Sequence, residues 1–186
     1  FPVEVSTSLI TLGGNEVVLG IDRDITQRIK AEQTLHESES RFRAIFEQAA
    51  IGVAQINSKT GEFVRVNQKY CEIFGFSRED LLRMRFQEIS HPDDLPGDME
   101  QMQKLLAGEV LSFTIEKRHY RSDNSIVWLN VTVSPMWTPG EEPDYHIAVI
   151  EDITERKRFE LIRNAIFRIT QAAMTGEGID ALYKSI

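Results

Sequence analysis

The chain has 186 residues, a net charge of −8, 41% hydrophobic and 27% charged residues, which fits one good globular core with helical extensions and leaves two full domains cramped. The acidic balance argues against a nucleic-acid surface, which needs clustered Lys and Arg; the densest basic run, Arg156-Lys157-Arg158, is flanked by Glu155 and Glu160 and reads as a solvated helix face. No apolar stretch approaches the roughly 18 to 20 residues that span a bilayer, so no membrane contact is expected, and the single Cys71 excludes an internal disulfide and fits the cytoplasm.

Taken in chain order, residues 3 to 22 read as two strands joined by Gly13-Gly14-Asn15, a turn sequence that readily supplies positive φ, but the strands that would pair with this hairpin are missing. The start, Phe1-Pro2-Val3-Glu4-Val5, falls inside an alternating strand pattern rather than a signal peptide, so the chain reads as a piece of a longer protein. A helix follows from about Thr26 to Gln48, with Leu35, Ser38, Phe42, Ile45 and Ala49 at alternating spacings of three and four. Ile51 to Asn57 and Glu62 to Asn67 read as short strands around Ser58-Lys59-Thr60-Gly61. A short helix from Asn67 to Phe74 should stop at a Gly75 C-cap, and Ser77 with Asp80 should open another that carries Leu81 and Leu82. Asp98 to Ala107 places Met99, Met102, Leu105 and Leu106 on one helical face and stops at Gly108. Three long strands complete the order: Leu111 to Arg121, Ser125 to Met136 and Asp144 to Asp152, with Asp123-Asn124 as the tight turn between the first two. Two strands, several short helices and three strands imply an α+β fold, one antiparallel sheet with helices on one face.

One element of the chain repeats. Asp24-Ile25-Thr26-Gln27-Arg28 recurs as Asp152-Ile153-Thr154-Glu155-Arg156, 128 residues further on (152 − 24), which is the length of a domain plus its linker. In both copies a β-branched run leads into the Asp and a charged amphipathic segment follows. Asp followed three residues later by Gln or Glu has the form of a capping box, so each copy is a strand-to-helix switch, worth about 1 kcal/mol for the cap. After the second copy, Phe159, Ile162, Ile166, Ile169 and Ala173 form a stripe that reads either as a parallel coiled-coil seam or as a face packed on its own domain.

From Glu37 to Lys157 the residues resemble the PAS family with its C-terminal PAC motif. The resemblance rests on Arg41-Phe42-Arg43-Ala44-Ile45-Phe46-Glu47-Gln48-Ala49, on Val66-Asn67-Gln68-Lys69-Tyr70-Cys71-Glu72-Ile73-Phe74-Gly75-Phe76-Ser77-Arg78-Glu79-Asp80-Leu81, on His91-Pro92-Asp93-Asp94, on Glu116-Lys117-Arg118 with Ser122-Asp123-Asn124-Ser125-Ile126-Val127-Trp128, and on Asp152-Ile153-Thr154-Glu155-Arg156-Lys157. Asn124 stands where the family usually has Gly, a change the left-handed conformation tolerates. The resemblance implies a PAS fold, a five-stranded antiparallel sheet with short helices on one face, flanked by amphipathic linker helices. It divides the chain into residues 1–26, the last strands of a preceding PAS/PAC domain; 27–40, a linker helix; 41–157, the PAS/PAC domain; and 158–186, a linker helix and the start of a GAF-like domain. Such modules are typical of bacterial sensory proteins that control a C-terminal histidine kinase or diguanylate cyclase. The implied function is a cytoplasmic sensor of a signal-transduction protein, for example a two-component system. It would pass a ligand- or partner-induced change through its exit helix to the downstream GAF and output domains in cis. A ligand-free, architectural dimerisation module is the alternative, and in either case a homodimer through the linker helices is expected.

Motifs that carry chemistry are sparse. Gly13-Gly14-Asn15-Glu16-Val17 departs from a diguanylate cyclase signature at two positions and leaves no room upstream for metal-binding carboxylates. His91-x-Asp93-Asp94 reads as a helix start, and His36, His119 and His146 lack mutual metal-ligand spacing and read as surface or strand residues, so no metal is expected. Cys71 lacks the Asn-Cys-Arg-Phe context of the flavin-binding branch, and the Asp98 to Ala107 helix offers no His to a haem. No cofactor is therefore predicted, although a small-molecule ligand needs only an apolar cavity with a few polar contacts. The cavity candidates are Val53, Tyr70, Phe74, Met102, Leu106, Phe113, Val131 and Val133, and the signal-junction residues are Asp24, Thr26, Asp152 and Thr154. No phosphate loop or catalytic triad is visible, and the chain itself is expected not to be an enzyme.

Overall fold

Turn chemistry and strand alternation decide the first elements. The computed structural model describes residues 1–13, 15–138 and 140–175, and it divides into two units, 1–46 and 47–186. In the first unit β1 (Val3–Leu12) and β2 (Asn15–Asp24) form an antiparallel hairpin whose register runs from Val3 opposite Asp24 to Leu12 opposite Asn15. This hairpin is a two-stranded sheet of its own. Helix α1 (Thr26–Gln48) starts two residues after Asp24.

In the second unit β3 (Gly52–Asn57), β4 (Phe63–Val66), β5 (Phe113–Tyr120), β6 (Ile126–Pro135) and β7 (Tyr145–Asp152) form one antiparallel sheet in the order β4-β3-β7-β6-β5. The five-stranded antiparallel sheet and the several short helices match the expected α+β architecture. Successive strand residues face opposite sides, so Val127, Leu129, Val131 and Val133 of β6 turn into the core, as do Ala148 and Ile150 of β7. Gly52 is required where β3 meets β7, because a Cβ there would lie 2.4 Å from Cγ1 of Ile150.

Between β4 and β5 run α2 (Gln68–Phe74), α3 (Arg78–Leu81), α4 (Phe86–Ile89) and α5 (Leu95–Leu106). Fully buried Asn67 determines where α2 begins. Its Oδ1 accepts from the amides of Tyr70 and Val53, both at 2.9 Å, while its Nδ2 donates to the Ile51 carbonyl at 3.0 Å. One side chain thus caps α2 and fastens it to the start of β3. Gly75 ends α2 at φ +73°, and its amide donates to the Cys71 carbonyl. Ser77 caps α3 by accepting from the Asp80 amide at 3.1 Å. In the β5–β6 turn Asn124 takes φ +62°, so this non-glycine residue adopts the left-handed conformation.

Three expectations need correction. The sequence pattern did not reveal α4, a single turn whose Phe86 and Ile89 are buried and whose Arg85 amide donates to Glu88 Oε1 at 2.8 Å. Helix α5 starts at Leu95 rather than Asp98, with Pro96 in its first turn, and its inward stripe is Asp98, Met102 and Leu105. Met99 and Leu106 lie one position off that stripe and are each 37% exposed. Finally, neither Asp24 nor Asp152 reaches the amide three residues on. Each Oδ1 accepts instead from the threonine two residues on, Thr26 at 2.8 Å and Thr154 at 2.9 Å. The carbonyl of the intervening isoleucine takes the first helical N–H, from Ile29 to Ile25 at 3.0 Å and from Lys157 to Ile153 at 2.9 Å.

Replacing Asn67 with Ala removes the cap and leaves the Val53 amide and the Ile51 carbonyl without their buried partner. The expected cost is about 2–4 kcal/mol of unfolding free energy by urea titration. A loss below about 1 kcal/mol would show that Asn67 does not hold α2 to the sheet.

Candidate functional site

The strand parity that fills the core also carries charge into it. On β5 the inward positions include Phe113, Lys117 and His119, and on β7 they begin with His146. Lys117, His119 and His146 are 5%, 4% and 2% exposed, and Asp98 on α5 is 2% exposed. These four residues surround a cavity of about 20 Å³, room for roughly one water molecule. Its apolar wall comes from Val131, Val133, Ala148 and Ile150 of the sheet together with Tyr70, Phe86 and Met102 of the helices.

The Lys117 ammonium donates to Asp98 Oδ2 and lies 5.5 Å from the centroid of the Phe86 ring. Burial lowers the Lys117 pKa despite the opposing pull of Asp98, because desolvating an ammonium disfavours its charged form. His146 is pushed down to about 4, by burial first and then by Lys117; its Nδ1 lies 2.9 Å from Ser58 Oγ. His119 falls well below its usual value for the same two reasons in the same order. No hydrogen bond of ordinary geometry reaches either ring nitrogen, although the Ile89 backbone bears on the ring as a hydrogen-bond acceptor and opposes the shift. The His119 ring stands edge-on to Phe74, 5.4 Å between centroids. Burial raises the Tyr70 phenol and the Cys71 thiol, so both are held protonated.

Of the cavity candidates, Tyr70, Met102, Val131 and Val133 line this space. Val53, Phe74 and Phe113 are buried core residues outside its lining. Leu106 is the residue that departs furthest: it borders a separate surface groove with Leu111 and Trp137, because it sits off the inward stripe of α5. Asp98, Lys117, His119 and His146 were not identified from the sequence as cavity residues. Alternation from Phe113 gives the parity of Lys117 and His119, but in sequence Lys117 looks like a solvent-facing residue.

His91, Asp93 and Asp94 form an anchor for Arg118. Asp94 Oδ2 accepts from the Arg118 amide at 2.7 Å and from Nε at 2.9 Å, and Oδ1 accepts from Nη2 at 2.6 Å. The Arg118 guanidinium accordingly holds the Asp94 carboxyl below its usual range. Among the described residues no group of three or more His, Cys, Asp or Glu side chains could hold a metal ion.

The second junction continues directly from the cavity wall. Ile153 is buried and its amide donates to the Trp128 carbonyl at 2.9 Å; the Trp128 amide donates to Thr154 Oγ1 at 3.1 Å. Asp152 Oδ2 accepts from Arg121 Nη2 at 2.7 Å. Beyond it α6 (Thr154–Thr175) is tied to β5 through Glu116, which meets Arg156 Nη2 at 2.6 Å and Lys157 Nζ at 2.5 Å. The Trp128 ring has two cations near it, Arg118 at 5.6 Å and Lys157 at 5.3 Å from its centroid. Phe159, Ile162, Ile166 and Ile169 of α6 are exposed, as are Leu35, Phe42 and Ile45 of α1; the Ala173 side chain and residues 176–186, the last part of the stretch 158–186 expected to begin a GAF-like domain, lie outside the described ones. No described helix is long and apolar enough to cross a membrane.

Residues 50–155 match the PAS domain family. The chain is 37% identical over 143 residues to the probable diguanylate cyclase DgcE of Escherichia coli (strain K12), covering 76% of this chain and 13% of that protein. It is 24% identical over 170 residues to the sensor histidine kinase TmoS of Ectopseudomonas mendocina, covering 88% of this chain and 17% of that protein. The chain thus spans under a fifth of the length of either relative. The fold is similar to the crystal structure of a PAS domain from Colwellia psychrerythraea, with a TM-score of 0.57 and 17% identity over 63% of this chain and 97% of that one.

The buried His146 makes stability depend on pH. Its folded value near 4 lies below the ordinary 6.5, so the unfolded chain takes up the proton first as the pH falls. Its contribution is complete above pH 6.5, erodes between 6.5 and 4, and is gone below that range. His119, lowered by the same burial, adds to this dependence in the same direction, so urea unfolding should lose stability between pH 7 and pH 5, and His146→Gln should remove about 2 kcal/mol of that loss while leaving the part due to His119. An identical slope in the variant would place the titrating group elsewhere.

Proposed function

This chain belongs to the PAS domain family, and we propose that it is the cytoplasmic sensory module of a bacterial signal-transduction protein. In this reading a ligand or partner that prefers one arrangement of the cavity wall shifts the population of that arrangement. The shift then leaves through α6 toward a GAF-like domain and an output of the histidine kinase or diguanylate cyclase kind. The unit acts by binding and transmission rather than by turnover, and needs neither haem nor covalently attached flavin. One observation carries the reading. The strand that supplies His146, Ala148 and Ile150 to the cavity runs without a break through Asp152 and Ile153 into α6. The names of the relatives support it, since one is a sensor kinase and another a probable cyclase.

The hairpin supports a tandem arrangement, in which residues 1–26 are the last two strands of a preceding PAS domain. Val3 pairs with Asp24 as Leu129 pairs with Asp152, and the Ile25 amide donates to the Pro2 carbonyl as the Ile153 amide does to that of Trp128. The exposed apolar stripe of α6 supports a parallel homodimer. The small volume of the cavity favours a second reading, a dimerisation module that holds no ligand.

Replacing Asp152 with Ala in the full-length parent protein removes the contacts to both Thr154 and Arg121 and should change basal output or uncouple it from the signal, at a stability cost of about 1 kcal/mol. Wild-type output and wild-type response would remove this junction from the transmission path. Light scattering tests the dimer: the chain should elute as a dimer at micromolar concentration, and Ile162→Glu with Ile166→Glu should convert it to a monomer. A wild-type monomer would count against the helical interface.

A further inference from the structure

Helix α5 ends at Leu106 with Ala107 as its C-cap, and the chain then passes Leu111, a side chain 77% exposed, before it enters β5. The groove that Leu106 borders opens at this end of the domain, between the last turn of α5, the approach to β5 and the residues that follow β6. Its volume is about 360 Å³, room for roughly a dozen non-hydrogen atoms and within the range of small-molecule sites, which the one-water inner cavity is not. The wall is mostly apolar, from Leu106, Val110, Leu111, Pro135 and Trp137.

The charge at the groove has one sign. Among the described residues that line it, Glu141 carries the one charged side chain. Two bonds hold Glu141 in place: its amide donates to the Thr138 carbonyl at 2.9 Å, and its Oε2 accepts from the Thr138 amide at 3.0 Å. A carboxylate has about four acceptor sites, so most of them stay open to a ligand. Exposed Glu109 stands between the lining residues Gly108 and Val110. The basic side chains of the neighbouring segments are already engaged, Lys104 by Glu100 at 2.7 Å and Lys59 by Glu142. Among the described residues neither Glu109 nor Glu141 is in an ion pair. The end of α5 adds the negative pole of a helix dipole, and the Trp137 ring offers a face that attracts cations.

We propose that this groove binds a small apolar amine in its ammonium form, with the ammonium at Glu141 and the hydrocarbon part against Leu106, Leu111 and Trp137. An ammonium brings three donors to a carboxylate with open acceptor sites. A neutral ligand of the same shape keeps the apolar contacts and loses the charged one, and an anion meets Glu141 and Glu109 as like charges. The site lies outside the inner cavity, so it stands independently of the sensory reading of that cavity.

The test is calorimetric titration of the whole chain at neutral pH with 2-phenylethylamine beside its neutral isostere 2-phenylethanol. The amine should bind saturably and about tenfold more tightly than the alcohol, with the difference shrinking as salt is raised. Both diagnostic variants replace exposed side chains. Glu141→Gln should bring the amine to the level of the alcohol, whereas Leu111→Ala should weaken both ligands alike by about threefold. Equal affinity of amine and alcohol, an amine affinity unchanged in Glu141→Gln, or no saturable heat up to about 20 mM amine would overturn the proposal. Tighter binding of acetyl-leucyl-lysyl-leucine amide than of the amine would overturn it in favour of a protein segment as the occupant.

Discussion

Strand β7 is hydrogen-bonded on both of its edges, to β3 and to β6, and this double pairing constrains everything that follows from the site. A strand with two ladders cannot slip by one residue, because the slip would turn its buried face outward on both sides at once. In the proposed reading, a shift of Ala148 or Ile150 at the cavity wall travels as a tilt or twist of the strand as a whole. The strand's two neighbours end near Ile51 and Trp128, and Asp152 is where that movement meets a helix. Trp128 meets this point through two hydrogen bonds, its carbonyl accepting from the Ile153 amide and its amide donating to the Thr154 hydroxyl, so sheet and helix share a single residue there.

The charges around this point arrange themselves in two layers. Inside, Asp98 and Lys117 bridge α5 to β5, where desolvation is costly and the pair holds only because each partner answers the other. Outside, Glu116, one residue before Lys117 and on the opposite face of β5, binds Arg156 and Lys157 of α6. Adjacent strand residues face opposite ways. A twist of β5 thus moves the inner pair and the outer pair together, in opposite senses. The outer pairs are exposed and individually weak, which in the proposed reading suits a contact remade between two arrangements.

Much of this was legible in the sequence, and the boundary is physical. Caps and turns are local, so Gly75, Ser77 and the Asp123-Asn124 turn could be read where they stand, while Asn67 stood only as the start of a helix, and alternation in the last three strands gave the sheet. The stripe on α5 was misread by one position because hydropathy alone prefers Met99 and Leu106 to Asp98. Only the arrival of Lys117 from β5, 19 residues away in sequence, makes an inward Asp98 affordable. The single turn α4 lacks the length for a periodic signal. Buried His119 and Lys117 look polar in sequence, and no one-dimensional pattern distinguishes a polar residue at an inward strand position from an error in the strand assignment.

The two copies of the Asp-Ile-Thr motif differ in a way that follows from a single atom. In the second copy the Trp128 amide donates to Thr154 Oγ1. The residue in the same backbone position of the first copy is Pro2, whose carbonyl accepts from Ile25 just as that of Trp128 accepts from Ile153. Proline has no amide hydrogen to give, and Thr26 Oγ1 is accordingly buried without a partner. Asp24 Oδ1 still accepts from the Thr26 amide, so the helix start keeps its cap but lacks the counterparts of the Arg121 and Trp128 contacts that Asp152 and Thr154 make. The motif encodes the turn from strand to helix in both places; the residue across the ladder decides how firmly that turn is held. The junction at Trp128 is fastened through Arg121, Asp152 and Thr154, whereas the one at Pro2 lacks the amide donor that would reach Thr26 Oγ1.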